Sequence, residues 1–205
     1  YLFLRYNDDN WNAGLDTRFR LDEHSLLTFH HTFGRFDRNA TSLLARENEK
    51  APIGRGTTKH ISGLSYLFTP NEHWNVTAFG KFYHLHVSGT VSTSDLQEKF
   101  IRKEHQLGFF GFGAAGTYRF SPHWQGKLSY ERACRLPNVD ELFGDDDLES
   151  GSVTLQPEQS HNFNLNLSYA QSIGLHHLLV EVGGIYRDTR DYIQRNVISV
   201  GGGRF

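Results

Sequence analysis

Alternation between apolar and polar residues runs through almost the whole sequence, whereas helical periodicity is nearly absent. Successive side chains of a β-strand point to opposite faces, so an alternating segment has one apolar face and one polar face. The alternation is clearest where the apolar residues Phe163, Leu165, Leu167 and Tyr169 interleave with Asn162, Asn164, Asn166 and Ser168. The pattern predicts a strand already under way at 1–6, then strands at 11–21, 25–36, 59–68, 74–87, 104–120, 124–133, 160–170 and 176–192.

The connections between these strands alternate in length. Segments 22–24, 70–73, 121–123 and 171–174 are short, and segments 37–57, 88–103 and 135–157 are long. Alternate connections of an up-and-down antiparallel sheet lie at the same end, so all the tight turns share one rim and all the long loops share the other. Short turns on one side and long loops on the other are typical of outer-membrane barrels. Several predicted strands also exceed the usual soluble length of about 5–6 residues. The sequence therefore predicts an all-β protein: an antiparallel up-and-down transmembrane β-barrel, here a partial barrel of about eight or nine strands.

Two other architectures share this alternation. A soluble β-sandwich also has polar and apolar faces, although long strands and alternating connection lengths are not typical of it. A complete small barrel would need apolar strands at both ends, but Tyr1 stands inside a strand pattern, and Ile198 and Val200 are out of phase with Phe205. We therefore expect residues 1–205 to form part of a larger barrel, of the size of the plugged transporters with about 22 strands.

Charge and composition exclude several other classes. The net charge of −2 and the pI of about 6.7 provide no basic field for nucleic acid. The single cysteine, Cys134, rules out an internal disulfide framework and a CxxC metal site. No run approaches the roughly 18 apolar residues of a membrane-spanning helix. Aromatic residues make up 14% of the chain, which suits aromatic girdles at two membrane interfaces.

A group of short motifs lies around the third long connection. Tyr130-Glu131-Arg132-Ala133 precedes Arg135-Leu136-Pro137 and Glu141-Leu142-Phe143-Gly144, and Leu155-Gln156-Pro157-Glu158-Gln159-Ser160 follows with Asn162. In this order the motifs resemble the late-barrel signature of TonB-dependent outer-membrane receptors. Asp191-Tyr192-Ile193-Gln194 is similar to the end of the next strand in that family.

The resemblance implies a receptor in the outer membrane of a Gram-negative cell, with its long loops outside. Such a receptor takes up a scarce ligand, an iron–siderophore, haem, cobalamin or a glycan, and it needs no cofactor of its own. Its expected partners are the membrane lipid, a plug domain and the TonB energy-coupling complex. We expect the plug domain and the TonB box to lie outside this chain.

Within the third connection we expect two groups of residues with different roles. The first group is expected to be structural, because an apolar cluster that ends in glycine at a strand exit is better explained by packing; it comprises Arg135, Leu136, Pro137, Glu141, Leu142, Phe143, Gly144, Pro157 and Glu158. The second is acidic and is the candidate for the ligand side; it comprises Asp145, Asp146, Asp147 and Glu149. The acidic group lacks the spaced oxygen ligands of a calcium loop, so a solvated loop is an alternative interpretation.

Other candidate sites carry weaker signals. His84 and His86 share one strand face at a spacing that can chelate a metal, but a chance pair is expected among twelve histidines. Gly201-Gly202-Gly203 follows no strand–helix context and indicates a loop. The sequence contains no G-x-S-x-G or H-E-x-x-H motif. Isolated serines, histidines and aspartates leave an outer-membrane barrel enzyme open as an alternative.

Overall fold

The computed structural model describes residues 4–42, 53–92, 100–143 and 151–194. Eight strands pair in chain order into one antiparallel sheet, which confirms the predicted up-and-down architecture. The strands are β1 (Leu4–Arg20), β2 (Ser25–Ser42), β3 (Ile53–Asn71), β4 (Trp74–Ser92), β5 (Phe100–Arg119), β6 (Trp124–Arg135), β7 (Glu158–Ile173) and β8 (His176–Arg190). A five-residue helix, α1 (Val139–Phe143), lies between β6 and β7. Within the described residues β1 and β8 are not paired with each other, so the sheet is open and represents part of a barrel.

The first strand corrects one sequence prediction. Residues 1–6 and 11–21 were predicted as two strands separated by the polar run from Asn7 to Asn10, but β1 is continuous through that run. The polar run stays in the ladder, opposite residues 36–39 of β2. Arg38 bridges the strands, donating to both carboxylate oxygens of Asp8 at 2.8 Å. A strand that is solvated on both faces needs no apolar residue to stay paired, so polarity alone did not mark its end.

The strands that flank two of the long loops also extend further than predicted. Segments 37–57 and 88–103 were predicted as loops, but β2 continues to Ser42 and β3 already begins at Ile53. Likewise β4 continues to Ser92 and β5 begins at Phe100. The third long connection agrees with its predicted range, since β6 ends at Arg135 and β7 begins at Glu158. Two of the three long connections are therefore shorter than predicted, and their flanking strands longer.

The sheet has one apolar face and one polar face. Residues that are paired across strands share a face, and this register aligns Leu165 with Leu128 of β6 and with Gly184 of β8. Large apolar side chains stay exposed along this apolar face; they include Trp11, Leu15, Phe19, Leu64, Tyr66, Phe82, Phe110, Phe112, Trp124, Leu128, Phe163, Leu165, Leu167 and Val182. The alternate positions form the polar face, where Asn162, Asn164 and Asn166 point. The face assignment for 160–170 therefore extends over all eight strands.

Glycines in β5 allow large side chains to lie across the polar face. A Cβ on Gly113 would come within 2.5 Å of the ring of Phe79, and one on Gly111 within 3.4 Å of the ring of Tyr83. Beside them Lys81 of β4 donates a hydrogen bond of 2.9 Å to Glu131 of β6, spanning the intervening strand. Phe79 therefore faces the glycines of β5 on the polar face, whereas Phe82 of the same strand lies on the apolar face.

The first and third tight turns share one arrangement. In the first turn the backbone N–H of His24 donates to the carboxylate of Asp22 at 2.7 Å, which lowers the pKa of that carboxyl group. This N–H is therefore not available for the ladder bond to Thr69. The imidazole Nδ1–H of His24 takes its place and donates to the Thr69 carbonyl at 2.9 Å, while the Thr69 N–H donates to the His24 carbonyl at 2.8 Å. The side chain thus completes the terminal pair of β2 and β3.

The third turn uses the same device, and the second uses part of it. The backbone N–H of His123 donates to the Ser121 hydroxyl, and its ring Nδ1–H donates to the Ala170 carbonyl at 2.9 Å. In the second turn the N–H of His73 donates to Asn71, but the imidazole ring packs against Tyr118 with centroids 6.4 Å apart. The positions of these turns agree with the sequence prediction, whereas the hydrogen bonds of their histidines were not predicted.

Candidate functional site

The connection between β6 and β7 folds onto the polar face at the loop-bearing rim. Its helix α1 begins after Asn138, whose side chain accepts a hydrogen bond of 2.8 Å from the N–H of Glu141. Glu141 returns the interaction by accepting from the N–H of Asn138 at 2.8 Å. This reciprocal pair is a capping box, which satisfies two backbone donors at the start of the helix. Pro137 lies immediately before it and is buried, so the chain cannot continue as strand from β6.

A chain of ion pairs attaches this helix to the strands. Arg135 donates from one nitrogen to both carboxylate oxygens of Glu141, at 3.0 and 3.1 Å. Its Nε also donates to Glu158 at 3.4 Å, and Arg187 of β8 donates to the other oxygen of Glu158 at 3.0 Å. Glu158 is only 4% exposed, so its carboxylate needs such charged partners. The four residues connect β6, α1, β7 and β8.

An apolar cluster fixes the rest of the connection. Leu142 and Phe143 of α1, together with Val153, pack against Leu85 and Val87 of β4 and against Leu107 of β5. A Cβ on Gly89 would lie 2.8 Å from the ring of Phe143, so the glycine makes room for that ring. The N–H of Ser152 donates to the Glu141 carbonyl at 3.0 Å and holds the two limbs of the connection together. The connection therefore folds inward, over the polar face of the sheet.

The structure brings together most of the residues expected to be structural. Arg135, Glu141 and Glu158 form the ion-pair chain, and Leu142 and Phe143 lie in the apolar cluster with Leu136 packed against it. Pro137 and Pro157 are both buried where the connection leaves and rejoins the strands. Gly144 and the acidic group Asp145, Asp146, Asp147 and Glu149 lie outside the described residues.

A polar recess of about 380 Å³ opens on the same face, between β6, β7 and β8. Charged side chains at its wall are Glu131, Arg135, Glu158 and Arg187, and the uncharged residues that line it include Asn162 and Asn164. Each of the four charged groups already has an oppositely charged partner. The paired charges largely cancel, so the recess offers hydrogen-bonding groups without a strong electrostatic potential of either sign. Such a recess suits contact with an uncharged polar surface.

Within the ranges that the structure describes, no group of three or more His, Cys, Asp or Glu side chains is arranged to hold a metal ion. His84 and His86 lie on the apolar face of β4, opposite Gly108 and Gln106 of β5. No helix in the described part of the chain is long and apolar enough to cross a membrane.

The decisive comparison covers nearly the whole chain. Residues 2–204 match the family described as TonB dependent receptor-like, beta-barrel. The chain belongs to this family of receptor barrels. The match includes the strands on both sides of the inward-folded connection, so the motifs that carry the resemblance are a local part of a similarity that extends over all eight strands. None of the curated protein sequences compared with the chain matches it.

Solved structures of such receptors share the fold of this receptor barrel. The copper transporter OprC superposes with a TM-score of 0.65 at 10% identity, over 82% of this chain and 29% of the transporter. The hemophore receptor HasR of Serratia marcescens, solved as a double mutant with its hemophore HasA and heme, superposes with a TM-score of 0.60 at 14% identity. That match covers 92% of this chain and 34% of the receptor. The chain thus spans about a third of the length of these proteins.

Proposed function

We propose that this receptor barrel lies in the outer membrane of a Gram-negative cell and serves the energy-coupled uptake of a scarce ligand. The ligand classes that fit are an iron–siderophore, haem, cobalamin or a glycan. The process is binding and transport, without covalent catalysis. The full-length protein would supply a plug domain inside the barrel and a segment that engages the TonB complex.

One observation carries this proposal: an apolar face that stays exposed across all eight strands. Side chains such as Leu165 at 60%, Val182 at 68% and Trp11 at 69% exposure would be costly in water. The opposite face carries the Lys81–Glu131 and Arg187–Glu158 pairs. A sheet with one lipid-facing side and one hydrated side accounts for both faces, and the family supplies the outer-membrane setting.

The loop-bearing rim is the proposed ligand side. Long connections are free of the pairing constraints of the sheet and commonly carry recognition. The third connection is anchored inward by the ion-pair chain and the apolar cluster, which supports a structural role for its Arg135, Leu142 and Phe143. Ligand capture by the loops would precede rearrangement of the plug, which opens a route along the polar face.

The test uses the full-length gene in a Gram-negative host that lacks its own receptors for the ligands tested. Uptake of radiolabelled iron–siderophore, haem, cobalamin and a labelled oligosaccharide is measured with and without the TonB complex. We expect one ligand class to accumulate only when both the receptor and the TonB complex are present. Uptake that continues unchanged without the TonB complex would contradict energy coupling.

The acidic group remains a prediction within this proposal. Replacing Asp145, Asp146, Asp147 and Glu149 together by Asn or Gln is expected to weaken ligand binding while leaving the amount of assembled barrel unchanged. The matched variant replaces Leu142 and Phe143 by Ala and is expected to reduce assembly instead. Unaltered affinity in the acidic variant would leave that group as solvated surface.

A further inference from the structure

A groove runs along the apolar face over β4 and has a volume of about 530 Å³. Its floor consists of the small residues Ala78 and Gly80. Leu64 and Tyr66 of β3 form one wall, and Phe110 and Phe112 of β5 form the other. A Cβ on Gly80 would lie 3.1 Å from the ring of Phe110, so the absence of a side chain there leaves room for that ring at the wall of the groove.

The groove has a direction, because one of its ends is polar. From Ala78 to Phe82 it spans five residues of β4, or about 13 Å of strand. Two positions beyond Phe82, towards the loop-bearing rim, His84 stands directly opposite His60 of β3. His31 of β2 joins them diagonally, so that three imidazole rings form a row with centroid separations of 5.7 and 6.2 Å.

The histidine row is unusual in its position. These rings share the face that carries Leu64, Phe82 and Phe110, and all three are half-buried. His31 uses its Nδ1 on the Ser62 hydroxyl at 2.8 Å, which leaves its Nε2 as the second polar atom of the ring. An imidazole carries at least one N–H donor in either protonation state, and phosphate oxygens accept such bonds.

We propose that the groove and the histidine row together bind one phosphorylated glycolipid of the outer leaflet. An acyl chain lies in the groove over Ala78 and Gly80, and a headgroup phosphate accepts hydrogen bonds from the row of His31, His60 and His84. The orientation follows from the fold, since the row lies on the side of the groove that faces the long loops. This site rests on the proposed function, in which the apolar face contacts the lipid of the outer membrane. It assigns one particular kind of lipid to one part of that face.

The two parts of the site predict separate effects. The acyl chain depends on the open floor, so Ala78→Phe fills the groove and weakens binding whatever the headgroup. The phosphate depends on the imidazoles, so the His31→Ala/His60→Ala/His84→Ala triple variant removes the preference for a phosphorylated headgroup. Matched controls on the same face are Ala13→Phe in β1 and His161→Ala in β7, which lie away from the groove.

The experiment uses the full-length receptor, purified in detergent and stripped of endogenous lipid. Native mass spectrometry follows titration with bisphosphorylated lipid A and with the same lipid after enzymatic removal of its phosphates. We expect one bound lipid A and a preference of at least about tenfold for the phosphorylated form, the smallest effect expected from losing one hydrogen bond to a charged group. Ala78→Phe should weaken both probes by about tenfold, on the same scale, and the histidine variant should bind both equally.

Two kinds of failure are distinguishable. Equal binding of both probes to the unaltered receptor, or a phosphate preference that survives in the histidine variant, overturns the lipid site while membrane insertion and uptake stand. Binding by Ala78→Phe equal to that of the Ala13→Phe control overturns the groove as the acyl site. A full-length protein that fails to enter the membrane fraction overturns the proposed function and the lipid site together.

Discussion

Leu165 provides the sharpest test of the assignment of the two faces. It lies on the apolar face of β7, with Leu128 and Gly184 directly opposite on the neighbouring strands. It is four residues from Tyr169, which packs against Trp124 in a tilted arrangement with centroids 4.9 Å apart, and four residues from His161, whose ring Nδ1 lies 2.9 Å from the Tyr130 hydroxyl. An aromatic girdle and a polar boundary thus lie at equal distances, which places Leu165 near the centre of the apolar band.

The magnitude follows from that position. An arginine on the lipid face near the midplane of an outer-membrane barrel costs about 2–4 kcal/mol. The neighbouring Asn166 points to the polar face, opposite Lys127 of β6. Asn166→Arg would therefore place a like charge across the strand pair, at a cost of about 0.2–1 kcal/mol. We expect Leu165→Arg to destabilise the barrel by about 1–4 kcal/mol more than Asn166→Arg, the difference of those two ranges.

The assay is reversible urea unfolding of the full-length receptor in lipid vesicles, with tryptophan fluorescence and heat-modifiable gel mobility as independent probes. Leu128→Arg provides a second site on the same face and should resemble Leu165→Arg. Equal penalties at Leu165 and Asn166 would refute the lipid assignment of the apolar face. The reverse order would show that the faces are exchanged.

Three further predictions concern the rims. Glu158→Gln removes the buried charge that two arginines share and should lower the free energy of unfolding by about 1–3 kcal/mol, as measured by urea denaturation. Leu142→Ala, in a side chain only 1% exposed, should weaken docking of the inward-folded connection by about 2–5 kcal/mol, seen as faster limited proteolysis there. His24→Ala removes the imidazole bond that completes a strand pair and should cost about 1 kcal/mol in the same unfolding assay.

Each of these variants has a control in the same chain. Glu104→Gln breaks an exposed pair with Arg102 and should cost less than about 1 kcal/mol. Leu178→Ala, at an exposed position of β8, should leave proteolysis of the connection unchanged. His73 ends its turn without the imidazole-to-carbonyl bond seen at His24, so its alanine variant should be the milder one. A loss at His73 equal to that at His24 would contradict the ladder argument.

The architecture was predictable because alternate residues of each strand face lipid and water. The residues that face lipid must be apolar, so the strand appears in the sequence as an alternation. That constraint acts on segments such as 160–170 and 124–133, where the face assignment and the strand type agree with the structure. It does not act where both faces of a strand are hydrated, and there Asn7 to Asn10 were wrongly predicted to end a strand.

The site was only partly predictable, for a different reason. The order of the motifs pointed to Arg135, Glu141 and Glu158, but the ion pairs that join them depend on strands 23 residues apart in sequence. The inward fold of α1 depends on Gly89 and Leu107, which belong to other strands. The histidine at each of three tight turns was visible as a repeated position, in Asp22-Glu23-His24, Asn71-Glu72-His73 and Ser121-Pro122-His123. The role of His24 and His123 depends on the carbonyls of Thr69 and Ala170, which are about 45 residues away in sequence and are brought close only by the fold.

The unequal lengths of β5 and β6 have a consequence for hydrogen exchange. In the described part of the chain, β6 pairs with β5 only from Phe112 to Arg119, whereas β4 pairs with β5 from Phe100 to Tyr118. Backbone groups of successive residues in an antiparallel strand point alternately to one neighbour and then to the other. Amide deuteration along Arg102 to Gly111 should therefore alternate between slow and fast from one residue to the next. From Phe112 to Arg119, where β5 has a paired strand on each side, every amide should be protected from exchange to a similar degree. The residue at which the alternation stops would therefore mark where β6 separates from β5.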